Sequence, residues 1–198
     1  MAISPMMRQY LEIKEQHSDC ILFFRLGDFY ETFFEDAELV SRELELTLTG
    51  KDCGLEKRAP MCGVPHHAAD VYVKRLIEKG YKVAICEQMS DPALSKGLVE
   101  RAVTRVITPG TLIDSSMLEE RASNYILALY FQKERAGCAF CDVSTGEFFA
   151  YQFDHATAQM MDELSRIQPS EILSNEVERI PRTSGALITC RKADDYKE

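Results

Sequence analysis

The chain has 198 residues, 45% of them hydrophobic and 28% charged, which is the composition of a globular protein with one large or two small domains. It contains no run of about 18 apolar residues, which excludes a membrane-spanning helix, and its first residues lack the basic and apolar regions of a secretory signal. Its seven cysteines fit no disulfide-scaffold spacing, so reduced thiols are expected.

The charge of the chain limits how it could bind nucleic acid. The formal net charge of −9 argues against strong binding through phosphate contacts alone. Residues 51–105 are the basic exception, with 10 Lys and Arg against 7 Asp and Glu. Any DNA-binding face should therefore be drawn from this region, and should act as a local reading surface rather than as the main electrostatic attraction.

The first half of the chain alternates helix and strand patterns. Ser4 followed by Pro5 is the favoured N-cap and N1 pair, and predicts a helix that ends before His17. Strands and helices with short connections follow, which predicts a mixed sheet with helices packed on it. The predicted strands cover 20–25, 29–34, 47–49, 81–88 and 99–108, and the second helix covers 36–46.

Two segments of this half carry more specific predictions. Pro60 and Pro65 bound residues 61–65, and predict an edge strand or a turn there, because proline cannot donate a hydrogen bond to a sheet. An amphipathic helix is predicted over 67–79. Its candidate core residues are Val71, Leu76 and Ile77.

The second half of the chain predicts a separate group of elements. Residues 115–124 are polar and predict a connecting segment. Three strand patterns follow, with a tight turn at Thr145-Gly146 between the last two, and then a helix and another strand. This order resembles the start of a ribonuclease H-like fold. The predicted strands are 125–131, 137–144, 147–153, 171–173 and 186–189, and the predicted helix is 156–167.

One short motif points to chemistry. In Gly27-Asp28-Phe29-Tyr30-Glu31 an aromatic residue stands two positions before a carboxylate on a predicted strand. Side chains alternate along a strand, so Phe29 and Glu31 share one face and Tyr30 takes the other. A phenylalanine can push between stacked bases, and a glutamate can hydrogen-bond to a base edge once the stack opens. The ordinary alternative is a core ring beside a solvated charge.

The motif resembles the Phe-x-Glu motif of the MutS family of bacterial DNA mismatch-repair proteins. Four further blocks between residues 4 and 114 resemble family sequences in the same order, and residues 141–148 match more loosely. The quoted blocks are Ser4-Pro5-Met6-Met7-Arg8-Gln9-Tyr10, Pro60-Met61-Cys62-Gly63-Val64-Pro65-His66-His67-Ala68, Ala84-Ile85-Cys86-Glu87-Gln88 and Arg105-Val106-Ile107-Thr108-Pro109-Gly110-Thr111.

The resemblance implies an α/β (α+β) fold in three parts. Residues 1–114 would be the mismatch-recognition domain, a mixed sheet flanked by helices. Residues 115–124 would be a connecting segment, and residues 125–198 part of a ribonuclease H-like connector domain. The chain would then be the N-terminal part of a longer protein.

The resemblance also implies partners and cofactors. The longer protein would be a homodimeric ATPase that uses ATP and magnesium. This chain lacks a G-x-x-x-x-G-K-[ST] loop, and is expected to be a monomer without enzyme activity or cofactor. The implied partners are mismatched or looped double-stranded DNA and, through the connector region, MutL. The implied location is the bacterial cytoplasm, at the nucleoid and away from membranes.

The resemblance assigns roles to two residues. Phe29 would enter from the minor groove and stack on a mispaired base, where unstacking costs least. Glu31 would hydrogen-bond to the displaced base, and must be protonated to donate to a base acceptor. Kinking the duplex costs less free energy at a mismatch than in matched DNA, and this difference in deformability gives specificity.

Six further residues are candidate DNA contacts by their position or charge. Ordinary surface or core roles are open alternatives for each of them. They are Thr49, Lys51, Arg58, Met61, Lys96 and Arg101.

Other site hypotheses compete with this interpretation. Asp142 on a ribonuclease H-like strand suggests a metal-dependent nuclease, although two-metal chemistry needs several converging carboxylates. Cys138 and Cys141 would face opposite sides of a strand, which disfavours chelation of one ion. The adjacent pair His66-His67 is disfavoured as a metal site because neighbouring residues rarely chelate together. A further alternative is a pure protein-docking module for MutL.

Overall fold

A computed structural model describes residues 3–54, 56–90, 97–112, 123–154, 156–182 and 185–196. The chain divides into two compact units, Met1–Ile107 and Thr108–Glu198. The predicted connecting segment, 115–124, falls mostly outside the described residues, so the predicted domain limits of 1–114 and 125–198 stay a prediction.

The first unit is built on a six-stranded mixed sheet with the order β3-β4-β2-β1-β5-β6. β1 and β5 are parallel, and the other neighbouring strands are antiparallel. β1 has four consecutive buried residues, 21–24, so both faces of the sheet are covered at its centre. The elements are α1 (Pro5–Gln16), β1 (Ile21–Leu26), β2 (Phe29–Phe33), α2 (Phe34–Leu44), β3 (Thr49–Lys51), β4 (Ala59–Pro65), α3 (Ala69–Glu78), β5 (Val83–Gln88) and β6 (Arg101–Ile107).

Helix α1 begins where the sequence predicts it. Its capping residue, Ser4, accepts a hydrogen bond of 3.3 Å at Oγ from the backbone N–H of Met7, which satisfies one of the free donors of the first turn. Met7 and Tyr10 are buried and belong to one core cluster with Leu22 and Phe24 of β1. The helix therefore covers one face of the sheet over β1.

Strand β4 differs from its prediction as an edge strand or a turn, because it lies between β3 and β2. Its pairing explains how it accommodates two prolines. β3 pairs with residues 59–61 only, and β2 pairs with residues 61–65 only. Pro60 and Pro65 therefore each pair with one neighbouring strand, so neither interrupts a ladder on both sides.

The core face of α3 also differs from its prediction. Leu76 and Ile77 are buried, but Val71 is 65% exposed. The buried residues recur at helical spacing from Ala69 through Val73, and Val71 lies about 200° around the helix from Ala69 because each residue advances by about 100°. The predicted core position of Val71 was therefore wrong.

The second unit holds a five-stranded mixed sheet with the order β11-β10-β7-β8-β9. β7, β8 and β9 are antiparallel, and β10 is parallel to β7 and β11. Its core joins apolar residues of α4 to those of β7, β8 and β10. The elements are β7 (Tyr125–Gln132), β8 (Arg135–Asp142), β9 (Glu147–Phe153), α4 (Ala156–Ile167), β10 (Glu171–Ser174) and β11 (Leu187–Cys190).

Both units combine helices with a mixed sheet, which confirms the predicted α/β class. The second unit has the predicted succession of three antiparallel strands, a helix and a further strand. In the ranges that the structure describes, no helix has the length and apolar character needed to cross a membrane.

Candidate functional site

The hairpin of β1 and β2 positions the Phe-x-Glu motif. Leu26 pairs with Phe29 across its turn, which consists of Gly27 and Asp28. Gly27 has a φ of 59°, a conformation that glycine adopts without steric cost. The backbone N–H of His66 donates to the Asp28 carbonyl at 2.9 Å. The turn is thereby held from outside the hairpin, and Phe29 becomes the first residue of β2.

Phe29 and Glu31 share one face of β2, as strand alternation predicts. Phe29 is 46% exposed, whereas Tyr30 on the other face is 7% exposed. The alternative in which Phe29 is a core ring is therefore wrong. Glu31 pairs with Gly63 of β4, and a Cβ added to Gly63 would lie 3.7 Å from Glu31 Cγ and 3.8 Å from Phe29 Cδ1. Gly63 thus lies directly beside both side chains, which stand at van der Waals distance from where its Cβ would be.

Behind this face, Tyr30 belongs to a polar cluster that the sequence did not reveal as one unit. Its hydroxyl donates to Glu87 Oε1, and an Arg25 nitrogen lies 3.6 Å from Glu87 Oε2. The Arg25 guanidinium also lies 5.5 Å from the centroid of the Tyr30 ring. Burial, followed by the hydrogen bond to Glu87, raises the pKa of Tyr30 to about 12. The cluster links β2 to β1 and β5 directly beneath the motif.

Lys51, a candidate DNA contact, is brought to the motif itself. Its Nζ lies 2.6 Å from Glu31 Oε2 and 5.9 Å from the centroid of the Phe33 ring. The side chains of Glu31 and Lys51 are 15% and 33% exposed. Strand alternation alone could not have revealed this pair, because the two residues lie on strands separated by β4.

Three other candidates lie on β3, on β4 and before β4. The Thr49 hydroxyl donates to the Met61 carbonyl at 3.1 Å, and Arg58 is exposed and donates to the Gly50 carbonyl. Met61 pairs with Phe33 and packs partly buried against the core cluster of α1. Thr49 and Arg58 are therefore surface residues, whereas Met61 is partly a core residue.

Arg101 does not lie at the surface with the other candidates, since it is 8% exposed. Its Nε donates to the Arg25 carbonyl at 2.7 Å, and its Nη1 donates to Gln9 Oε1 and to the Val99 carbonyl. Its guanidinium lies 5.0 Å from the centroid of the Phe24 ring, and burial lowers the pKa of Arg101. These contacts engage the guanidinium within the first unit. Lys96 lies outside the described residues.

The carboxylate of Asp142, the residue of the nuclease alternative, is engaged in local structure. It is 2% exposed, and it accepts hydrogen bonds from the backbone N–H of Asn124 at 3.0 Å and from the N–H and hydroxyl of Ser144 at 2.9 and 2.6 Å. Burial acts to raise the pKa of Asp142, but these donors outweigh it and hold the pKa below its ordinary value. The arrangement is that of a turn-stabilising residue.

The geometry supports neither of the two metal sites considered from the sequence, the Cys138 and Cys141 pair or the His66 and His67 pair. Cys138 is buried and Cys141 is half-buried on the opposite face of β8, as alternation predicts. The His66 and His67 rings lie edge to face, 5.8 Å apart. Within the described ranges, no three His, Cys, Asp or Glu side chains come close enough together to hold a metal ion.

Comparison with known proteins connects both units to one family. Residues 4–116 match the family model MutS domain I, and residues 124–192 match MutS domain II. The chain is similar to proteins named DNA mismatch repair protein MutS. The relative from Acetivibrio thermocellus is 61% identical over 176 residues, which is 88% of this chain and 20% of the relative.

Two other relatives with the same name give similar values. The protein of Ruminiclostridium cellulolyticum is 59% identical over 87% of this chain and 20% of its own length. The protein of Clostridium tetani is 56% identical over 89% of this chain and 20% of its own length. The chain therefore spans about a fifth of the length of these curated relatives.

Proposed function

Because this chain belongs to the MutS family of DNA mismatch repair proteins, we propose that its first unit reads mismatched DNA through Phe29 and Glu31. The observation that carries the proposal is the half-exposed ring of Phe29, at 46%, on the same face of β2 as Glu31. Phe29 enters the minor groove and stacks on a mispaired base, and Glu31 hydrogen-bonds to that base once it is displaced.

Deformation of the duplex supplies the specificity in this proposal. Wedging a side chain between base pairs costs a few kcal/mol per opened step, and least where pairing is already defective. A matched duplex resists the same kink, so it is bound less tightly even though its phosphates are identical.

The surrounding residues have lesser roles. Thr49 and Arg58 lie at the surface near the motif and contact the DNA backbone. Met61 supports the core beneath the motif, and Arg101 stabilises the fold rather than binding phosphate. The first unit thus supplies few phosphate contacts, and most of the electrostatic attraction comes from elsewhere in the full-length protein.

Substitution of the ring tests the proposal directly. In a full-length MutS protein that contains this chain, Phe29→Ala should lower the affinity for G·T and unpaired-thymine duplexes by about 5- to 150-fold, because stacking a base on an aromatic ring contributes about 1–3 kcal/mol. The affinity for matched duplex should change little. Equilibrium binding to the three duplexes, measured at one fixed salt concentration, gives the comparison.

A matched control separates the wedge from general effects of losing an aromatic side chain. Phe148 is 66% exposed on β9 of the second unit, so Phe148→Ala removes a comparable ring and should leave the preference for mismatched duplex intact. Equal loss of affinity for matched and mismatched DNA in Phe29→Ala would contradict the reading role.

Family membership also supports proposals for the longer protein. Both units match family models, for MutS domain I and MutS domain II. We propose that the full-length protein is a homodimer that hydrolyses ATP with magnesium, works at DNA in the bacterial cytoplasm, and binds MutL through the second unit. Retention of MutL by the immobilised protein, with and without a competing excess of this chain, tests the last point.

A further inference from the structure

Glu31 is already engaged in the chain on its own. Its Oε2 lies 2.6 Å from Lys51 Nζ, and both side chains are partly buried, with 15% and 33% of their surfaces exposed. Lys51 belongs to β3, two strands away from β2 in the sheet, and its ammonium also lies 5.9 Å from the centroid of the Phe33 ring. The pair therefore depends on the packing of three strands.

Two partnerships of Glu31 exclude each other chemically. A carboxylate only accepts hydrogen bonds, and the ammonium of Lys51 only donates them. While the ion pair is intact, Glu31 cannot donate to an acceptor on a base. When Glu31 takes up a proton from solvent and donates, it loses its negative charge and with it most of the attraction to Lys51.

We propose that Lys51 is a latch on Glu31, an inference that rests on the proposed function. In the unbound protein the Lys51–Glu31 latch holds the carboxylate on the face of Phe29 and neutralises its charge. At a mismatch Glu31 turns to the displaced base, and the released ammonium binds a backbone phosphate in place of the carboxylate. Lys51 is thus a positioning residue that pairs with Glu31 in the unbound protein and with a phosphate in the complex. Because the Lys51–Glu31 ion pair must break before Glu31 can reach the base, the latch lowers the affinity for DNA.

A double-mutant cycle distinguishes this exchange from a simple phosphate contact. Lys51→Gln is made in the natural Glu31 background and in Glu31→Gln, whose amide can donate without a proton and holds no ion pair. The affinity of the full-length protein for a G·T duplex is measured for all four proteins. Lys51→Gln should cost less affinity in the Glu31 background, by about three- to fivefold, which lies within the range for a partly exposed ion pair.

Two results would overturn the latch. Equal costs in both backgrounds mean that Lys51 acts through a phosphate alone. A larger cost in the Glu31 background means that Lys51 presents Glu31 to the base instead of competing with it. The control is Lys57→Gln, which removes the same charge from an exposed residue of the segment between β3 and β4, and should cost the same in both backgrounds.

A second cycle without DNA tests the contact itself. In urea unfolding of this chain, Lys51→Gln should lower the folding equilibrium constant about three- to fivefold when Glu31 is present, and not when Gln replaces it. Absence of this coupling overturns the latch whatever the DNA measurements give.

Failure of the latch and failure of the proposed function give different results. If Phe29→Ala abolishes the preference for G·T while neither cycle shows coupling, only the latch is wrong. If Phe29→Ala and Glu31→Gln both leave that preference intact, the proposed function is wrong, and the role of the latch in binding is wrong with it. The urea cycle then still reports whether Lys51 and Glu31 are coupled in the unbound chain.

Discussion

Glycines show how closely individual residues of this chain fit their surroundings. Gly110 lies in the turn that follows Thr108, against β10 and β7. A Cβ built on Gly110 would lie 2.8 Å from the Cβ of Glu171 and 2.9 Å from the Cβ of Ile126. The buried Glu171 carboxylate accepts hydrogen bonds from the Thr108 hydroxyl and the Gly110 N–H. A side chain at residue 110 would therefore push the turn away from its hydrogen-bonding partner.

We predict that Gly110→Ala lowers the free energy of unfolding of the second unit by about 1–3 kcal/mol, the usual cost of overpacking a filled site. Urea denaturation of the chain measures the change. Gly137→Ala on β8 is the matched control, because a Cβ at Gly137 would meet nothing within 4 Å. Equal stability of the two variants would show that the turn moves aside freely.

Strand β6 shows how one element can depend on a single buried charge. Arg101, its first residue, donates hydrogen bonds to the Arg25 carbonyl of β1 and to Gln9 of α1. It thereby ties the edge strand to the hairpin that carries Phe29. A buried guanidinium has few ways to recover lost partners, so shortening this side chain leaves acceptors on two other elements unsatisfied.

We predict that Arg101→Gln destabilises the first unit by about 2–4 kcal/mol, since hydrogen bonds to a charged group contribute about 1.5–3 kcal/mol and unsatisfied partners add to the loss. The slope of log affinity against log salt concentration, measured on the full-length protein with DNA, should stay unchanged because no phosphate contact is removed. Arg105→Gln is the control on the same strand, where the side chain is 56% exposed and little stability should be lost. A shallower salt slope for Arg101→Gln would restore its role as a phosphate contact.

The turn between β8 and β9 depends on a carboxylate rather than on a guanidinium. Asp142 must be ionised to accept all three hydrogen bonds from Asn124 and Ser144, and its pKa lies below the ordinary value. A group whose pKa is lowered by folding stabilises the native state above its unfolded pKa of about 3.9, and this contribution disappears as the pH falls through the folded pKa.

We therefore predict that Asp142→Asn lowers the free energy of unfolding at pH 7 by about 1–3 kcal/mol, and that the difference from the natural chain shrinks as the pH falls below about 4. Urea unfolding at several pH values between 7 and 3 measures it. Asp154→Asn, at a side chain that is 72% exposed, should have little effect at any pH. A difference for Asp142→Asn that is independent of pH would mean that its charge is not what stabilises the turn.

Across the whole molecule, local patterns predicted the elements well, and long-range contacts decided what the patterns missed. The cap at Ser4 and the alternation of Phe29, Tyr30 and Glu31 depend on near neighbours, so the sequence revealed them. The sequence did not reveal the burial of Arg101, because its partners Arg25 and Gln9 are 76 and 92 positions away.

The same limit applies to the candidate site. The orientation of Phe29 and Glu31 followed from strand alternation, whereas the ion pair of Glu31 with Lys51 links residues 20 positions apart across an intervening strand. The two prolines of β4 suggested an edge because proline lacks an N–H, and only the offset between β3 and β2 shows how an interior strand accommodates them. Strand alternation thus predicted that Phe29 and Glu31 share one face, and the fold showed which charges meet there.

The position of β2 within the sheet has a mechanical consequence. β2 is paired with β1 on one side and with β4 on the other, so the backbone that carries Phe29 is stiff in the plane of the sheet. Under the proposed function, the protein backbone moves little when the Phe29 ring enters a duplex, so the DNA must undergo nearly all of the deformation. The order of preference among mispairs should then follow how easily each mispair bends in unbound DNA, more than how well any base fits the protein surface.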